Sequence, residues 1–298
     1  MSSVAASRAR KPRAATPQCV SGTNDSAEES RRAALRSFLR SRRTRLSPVA
    51  LGLPAGGRRR ANGLRREDVA EIAGVSLGWY ARFELGQLTN VSERLIDSIS
   101  DALKLDETER NYLRALARPL PAHPEPGAEI VPEMLRFVVE SYMAGPAVLL
   151  GARLDLLAVN DIARLLELGS DHAGLESNIA WRAFVDPSTR DRVVDGDQRR
   201  RELAAILRYS YARHVGEPSY DELITAMSEA SSDFLQAWES FEVRPLKFDE
   251  LQLSVDGEVV TLSTIVLTAH AAPGQSVVLM RPTDGEHFDR LVVRLRTR

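Results

Sequence analysis

Residues 117–132 read ARPLPAHPEPGAEIVP. Each proline fixes φ and removes a backbone donor, so neither a helix nor an interior strand can run through this segment. It reads as a stiff linker, and a domain boundary falls within it, at 119–131. The length of 298 residues agrees with two domains. The charge divides at the same place. Residues 1–121 hold 22 Lys/Arg against 13 Asp/Glu, and the remainder holds 18 against 28. A basic first part beside an acidic second part points to a polyanion, and nucleic acid in particular, as partner of the first.

Residues 1–26 are rich in Ser, Ala and basic side chains without apolar period, and are expected to be a disordered basic tail. Ser26 and Glu29 have capping-box spacing, so a first helix is expected from there to about Arg45. SPVALGLPAGGRRRANG, residues 47–63, forbids continuous helix. A second helix over 65–73 stops at Gly74, and Ser76 can cap a third. Two further helices open at Ser92 and at the Asp106/Glu109 capping pair. Residues 27–118 therefore read as an all-α five-helix domain.

The Gly74-Val75-Ser76 junction has helix-turn-helix geometry, in which the second helix enters the major groove. On a helical wheel Tyr80 and Phe83 face the core, while Gly78, Ala81, Arg82 and Leu85 fall opposite. Small residues let the backbone approach the groove floor, and the Ala81 methyl can meet a thymine methyl. Arg82 is the long donor of that face, suited to guanine. Ser76, Leu77 and Trp79 flank it; Trp79 either packs against the second helix or wedges against sugar-phosphate. Arg58, Arg59 and Arg60 lie beside Gly56 and Gly57 in a loop suited to phosphates or a minor groove. Arg65 and Arg66 open the second helix beside the same backbone. Solvated arginines and ordinary ion pairs are the alternative for each.

Residues 132–298 are mixed. A helix is expected over 133–143, two short strands in AVLLGARLDLLAV, a helix capped by Asn160, and further helices near 190–214, 219–229 and 232–241. The basic stretch RRRELAAILRYSYARH is expected to be a surface helix. LQLSVDGEVVTLSTIVLTA is a hairpin turning at Asp256-Gly257, and SVVLM is another strand. Strands beside helices make an α+β domain. Val148, Leu150, Leu154 and Leu156 share faces of a sheet, and with Phe184 and Val266 they are the candidate lining of an apolar pocket. A filled core fits the same pattern.

The run from Leu46 to Leu116, with GGRRR at 56–60, GLRREDVA at 63–70 and WY at 79–80, resembles the MmyB-like transcription regulators of the XRE class, with a Cro/cI-type helix-turn-helix. GPAVLLGARLDLLAVNDIARLL, WRAFVDP and the stretch from Ala212 to Pro245 are similar to that family's ligand-binding domain. The resemblance implies a PAS-like fold, a small, apolar, acyl-like ligand, double-stranded DNA as partner and a homodimer. Two positions depart from the family's pattern. Val159 stands before Asn160 where Trp is common, which would reshape the pocket. Leu85-Gly86-Gln87 replaces Gln-Gly-Arg, which removes a phosphate contact.

No enzymatic or metal constellation stands out: there is no phosphate-binding Gly loop, no His/Glu metal spacing and no nucleophile elbow. No catalytic residue, metal or cofactor is expected. No apolar run nears the ~18 residues of a membrane span. The lone Cys19 and the lack of a signal sequence suit a reduced cytoplasm, and DNA binding would place the chain at the nucleoid. A ligand-free dimerisation or protein-interaction module is the alternative for the second domain, and a fused enzyme is a weaker one.

Overall fold

The computed structural model describes residues 21–53, 63–88, 91–118, 130–169, 174–270 and 272–297, with side chains from residue 26 onward. The start of the basic tail, the Arg58–Arg60 loop and most of the proline segment lie outside the described residues.

The first half is all helix: α1 (Ser21–Arg45), α2 (Arg66–Ala73), α3 (Leu77–Glu84), α4 (Glu93–Ala102) and α5 (Glu107–Ala117). Helix α1 begins before the expected Ser26 cap. Two contacts hold its start, one local and one distant in sequence: Glu28 pairs with Arg31 at 2.6 Å and Arg32 at 3.1 Å, and Ala27 packs against the Gly216 turn. The Asp106/Glu109 capping box forms as the spacing predicts. Phe38, Tyr80, Phe83, Ile96, Ile99 and Tyr112 fill the centre. Each such burial contributes about 1.5–3 kcal/mol before entropy is counted.

The second half is α+β. Helix α6 (Glu133–Ser141) leads into β1 (Ala147–Leu150), β2 (Leu156–Val159), α7 (Asp161–Leu165), α8 (Ile179–Phe184), α9 (Pro187–Arg190) and α10 (Gly196–Tyr211). Then follow α11 (Pro218–Ala230), α12 (Ser232–Glu239), β3 (Glu250–Val255), β4 (Glu258–Thr268), β5 (Ser276–Pro282) and α13 (Gly285–Arg296). The strands form one antiparallel sheet in the order β2-β1-β5-β4-β3. The β3–β4 hairpin turns at Asp256 (φ 53°) and Gly257 (φ 80°), as the Asp-Gly pair predicts. One sheet face packs on α7, α8, α10 and α13, and the other is partly covered by α6.

Two expectations are overturned. Helix α10 is not a surface helix: Leu203 to Arg208 are buried along it. Arginine is tolerated there because Arg208 lies over Trp238 (3.8 Å) and Phe241 (4.5 Å) and donates to the Trp238 carbonyl. Burial pushes that guanidinium below its ordinary pKa, with the Tyr112 hydroxyl beside it acting the other way. Leu154 is not a strand residue: it takes φ 69° in the turn between β1 and β2 and is buried in the core.

The two halves share a joint. Tyr209, Ala212, Val215 and Val243 pack into the helical core of the first half. Arg42 of α1 donates to Phe241 O at 2.5 Å and pairs with Glu109 at 2.9 Å.

Candidate nucleic-acid interface and apolar cavity

Helix α2 ends at Gly74, whose φ of 68° gives the left-handed stop, and Val75 N closes it on Ala70 O at 2.9 Å. Ser76 Oγ then accepts from Trp79 N at 3.2 Å and caps α3. Leu77 and Arg82 are exposed and Ala81 is half-buried. Open space surrounds Gly78, with no other described residue within 4 Å of where its Cβ would stand. The Arg82 side chain makes no hydrogen bond or ion pair among the described residues. Trp79 stacks on Phe83 (5.4 Å, 14°). It is half-buried and packs against the helical core that includes Val69 and Ala70 of α2.

Arg65 caps α2 and its backbone N–H donates to Asp68 at 2.7 Å. Arg66, expected beside the DNA backbone, is 43% exposed and pairs with Glu84 at 3.0 Å, which raises its pKa. Glu84 is a residue that the sequence reading missed. Its side chain is 1% exposed and also pairs with Arg43 of α1 at 3.3 Å. Arg43 in turn donates to Leu64 O at 2.6 Å and accepts Leu64 N on its own carbonyl at 3.0 Å. The carboxylate thus ties α1, α2 and α3 together at the point where the chain returns from the arginine loop. The signal was available: Glu84 falls on the same wheel sector as Tyr80 and Phe83, and a carboxylate on a buried stripe demands a cation. Gly63 sits so close to α1 that an added Cβ would meet Thr44 Cα at 2.4 Å.

The α+β half holds a cavity of about 140 Å³ between the sheet, α8 and α10. Val148, Leu150 and Leu156 line it as expected, joined by Leu203, Phe248, Leu253 and Met280. Leu154, Phe184 and Val266 do not. Leu154 turns into the core beyond β1, Phe184 packs edge-on against Phe234 at 5.3 Å, and Val266 packs on the core beside the cavity. Val159 does not line it either, but fits against Gly169. Asn160 caps α7 and also donates to Tyr142 O and Gly145 O, both at 2.8 Å.

Three arginines reach the cavity wall with their donors engaged. Arg182 donates to Leu168 O and Glu167 O. Arg192 donates to Glu167 Oε2 and Leu166 O, and Arg199 pairs with Glu202 at 3.2 Å across the Phe248 ring. Burial lowers the pKa of Arg182 and of Arg199. These side chains build the wall and leave its interior apolar.

Among the described residues no cluster of His, Cys, Asp and Glu could hold a metal ion, and no helix is long and apolar enough to cross a membrane.

A helix-turn-helix with an open α3 face, followed by an α+β domain around an apolar cavity, defines a DNA-binding transcription regulator with a ligand-binding domain. Residues 34–113 match a helix-turn-helix domain family. Residues 131–295 match the MmyB-like transcription regulator ligand binding domain, and the chain belongs to that family. None of the curated proteins compared with the chain matches it.

Proposed function

We propose that residues 27–118 read a specific operator through α3, with Arg82 on a base edge and Gly78 and Ala81 against the groove floor. Ser76, Leu77 and Trp79 flank the contact, and Arg58, Arg59, Arg60 and Arg65 follow the backbone. Arg66 serves from its Glu84 pair. Residues 132–298 sense a small, apolar, acyl-like molecule, and the chain acts as a homodimer in the cytoplasm, where its DNA is. The observation that carries this reading is the face of α3: two positions with almost no side chain beside one arginine without a partner among the described residues.

The operator is first defined by footprinting on genomic DNA. Arg82→Ala should then weaken operator binding by about 1–3 kcal/mol while leaving nonspecific binding nearly unchanged. An equal loss on operator and random DNA would make Arg82 a phosphate contact and overturn the base-reading role.

A cavity of about 140 Å³ compares with the roughly 150 Å³ apolar cavities that take a benzene-sized guest. Short and medium acyl chains are therefore the series to titrate into the full chain. A binder present at 100 times its Kd stabilises the protein by about 2.7 kcal/mol. No thermal shift and no change in operator affinity across the series would leave the second domain as a ligand-free interaction module.

A further inference from the structure

The outer face of the sheet is only half covered. Helix α6 lies on β1, β2 and the near side of β5, with Leu135, Val139 and Tyr142 facing inward. It runs in the same direction as β5. Gln275, just before β5, donates from Nε2 to Ile130 O at 3.0 Å, and Tyr142 OH donates to Met280 O at 3.2 Å. At ~100° per residue, Met134 and Val138 form a second apolar stripe, about a quarter-turn from the inward one. The handedness of strand and helix turns that stripe toward β4. There Ile265 and Leu267 stand on the outer face, paired in register with Leu279 and Val277. Met134 is 68% exposed, Val138 41%, Ile265 54% and Leu267 44%. A contiguous apolar step of this kind marks an interaction site.

The charges on the same face say what fits it. Arg281, Ser263 and Glu250 lie in one row across β5, β4 and β3. Arg281 is exposed and its side chain has no partner among the described residues. Glu250 is exposed, and among the described residues its carboxylate accepts only from Gln252 and has no ion-pair partner.

We propose that this face binds a second copy of the chain, about a twofold axis that runs along β4 at Ser263. Such an axis keeps the row at one height and exchanges its ends, so each Arg281 lies over Glu250 of the partner subunit. Ile265 and Leu267 of the two copies meet at the spacing of packed sheets, and the α6 stripe walls the partner's edge strand. The patch is self-complementary in charge and apolar in its middle, which suits an identical partner. The inference gives a location to the dimer named above. Its test reads mass in solution, so it stands apart from the identity of operator or ligand.

The full chain is examined by sedimentation equilibrium without DNA. The unaltered protein should be a dimer. Met134→Glu and Ile265→Glu, both at exposed positions, should give monomers with unchanged circular dichroism. Arg281→Glu and Glu250→Arg should each raise the dimer Kd by about tenfold or more, and the double reversal should restore it. A monomeric unaltered chain overturns the proposal, whether residues 119–129 or another protein then covers the face. A dimer indifferent to all four substitutions overturns it as well, because the copies must then meet elsewhere.

Discussion

Glu84→Gln keeps the shape of a buried side chain and removes its charge. The carboxylate is 1% exposed and holds Arg43, 15% exposed, and Arg66, 43% exposed. Breaking a fully buried pair costs about 3–5 kcal/mol. Here the loss is smaller. Arg66 can recover water, Arg43 keeps its bond to Leu64 O, and the new amide oxygen still accepts one hydrogen bond. The expected destabilisation is about 2–3 kcal/mol. Urea denaturation at neutral pH, followed by circular dichroism, measures it. Arg66→Ala, which removes the more exposed partner, should cost no more than about 1 kcal/mol. Glu84→Gln combined with Arg43→Met removes both buried charges and should cost less than the two changes summed. Operator affinity should fall with Glu84→Gln, because the same carboxylate fixes α3 against α1. A cost below about 0.5 kcal/mol, within the range of ordinary surface changes, would refute the reasoning and make the pair incidental.

Two further outcomes follow from the geometry. Gly216→Ala should lower stability by about 2 kcal/mol or more, since φ is 86° and the new Cβ would meet Ala27 Cβ at 2.3 Å; Gly257→Asn, also left-handed but in open space, should cost little in the same denaturation assay. The hydrogen bond from Arg31, then its charge, holds the Glu28 carboxyl below its ordinary pKa of 4.5. Its contribution to stability is therefore complete above 4.5 and is lost as pH falls through the lower folded value. Carbon-detected NMR titration should find that midpoint below 4.5, and Glu28→Gln should remove this step from the acid limb of the stability profile.

What was legible in the chain was what neighbours in sequence decide. The Gly74 stop, the Ser76 cap, the Asp106/Glu109 box, the Asn160 cap and the Asp256-Gly257 turn each depend on residues within about four positions. The face of α3 follows from the helical period alone. The misreadings share another cause. Ser26 looked like a cap because the contact of Ala27 with Gly216 lies far along the chain. Helix α10 looked solvated because arginine counts as polar until Trp238 and Phe241 are seen to stack on Arg208. Leu154 looked like a strand residue because a left-handed leucine is rare. Of the six candidate pocket residues, the three on β1 and β2 line the cavity; Phe184 and Val266 required knowledge of how α8 and β4 are set against the sheet. Helix α13 was missed although the Asp284 cap and the spacing of Phe288, Leu291, Val292 and Leu295 announce it.

The joint between the halves has a consequence for how such a regulator could be re-tailored. A proline-rich seam looks like the natural place to cut and to graft a different DNA reader onto the same sensor. Yet Tyr209, Ala212, Val215 and Val243 complete the reader's own core, and Arg42 closes on Phe241. A graft at the seam would strip α1 and α5 of their apolar cover and leave Arg208 without Tyr112 beside it. The transferable unit is larger than either half: it is the reader together with the far end of α10 and the turn after α12. New operator preferences are therefore more accessible by substitution on the open face of α3, where Gly78, Ala81 and Arg82 can change without disturbing that shared core.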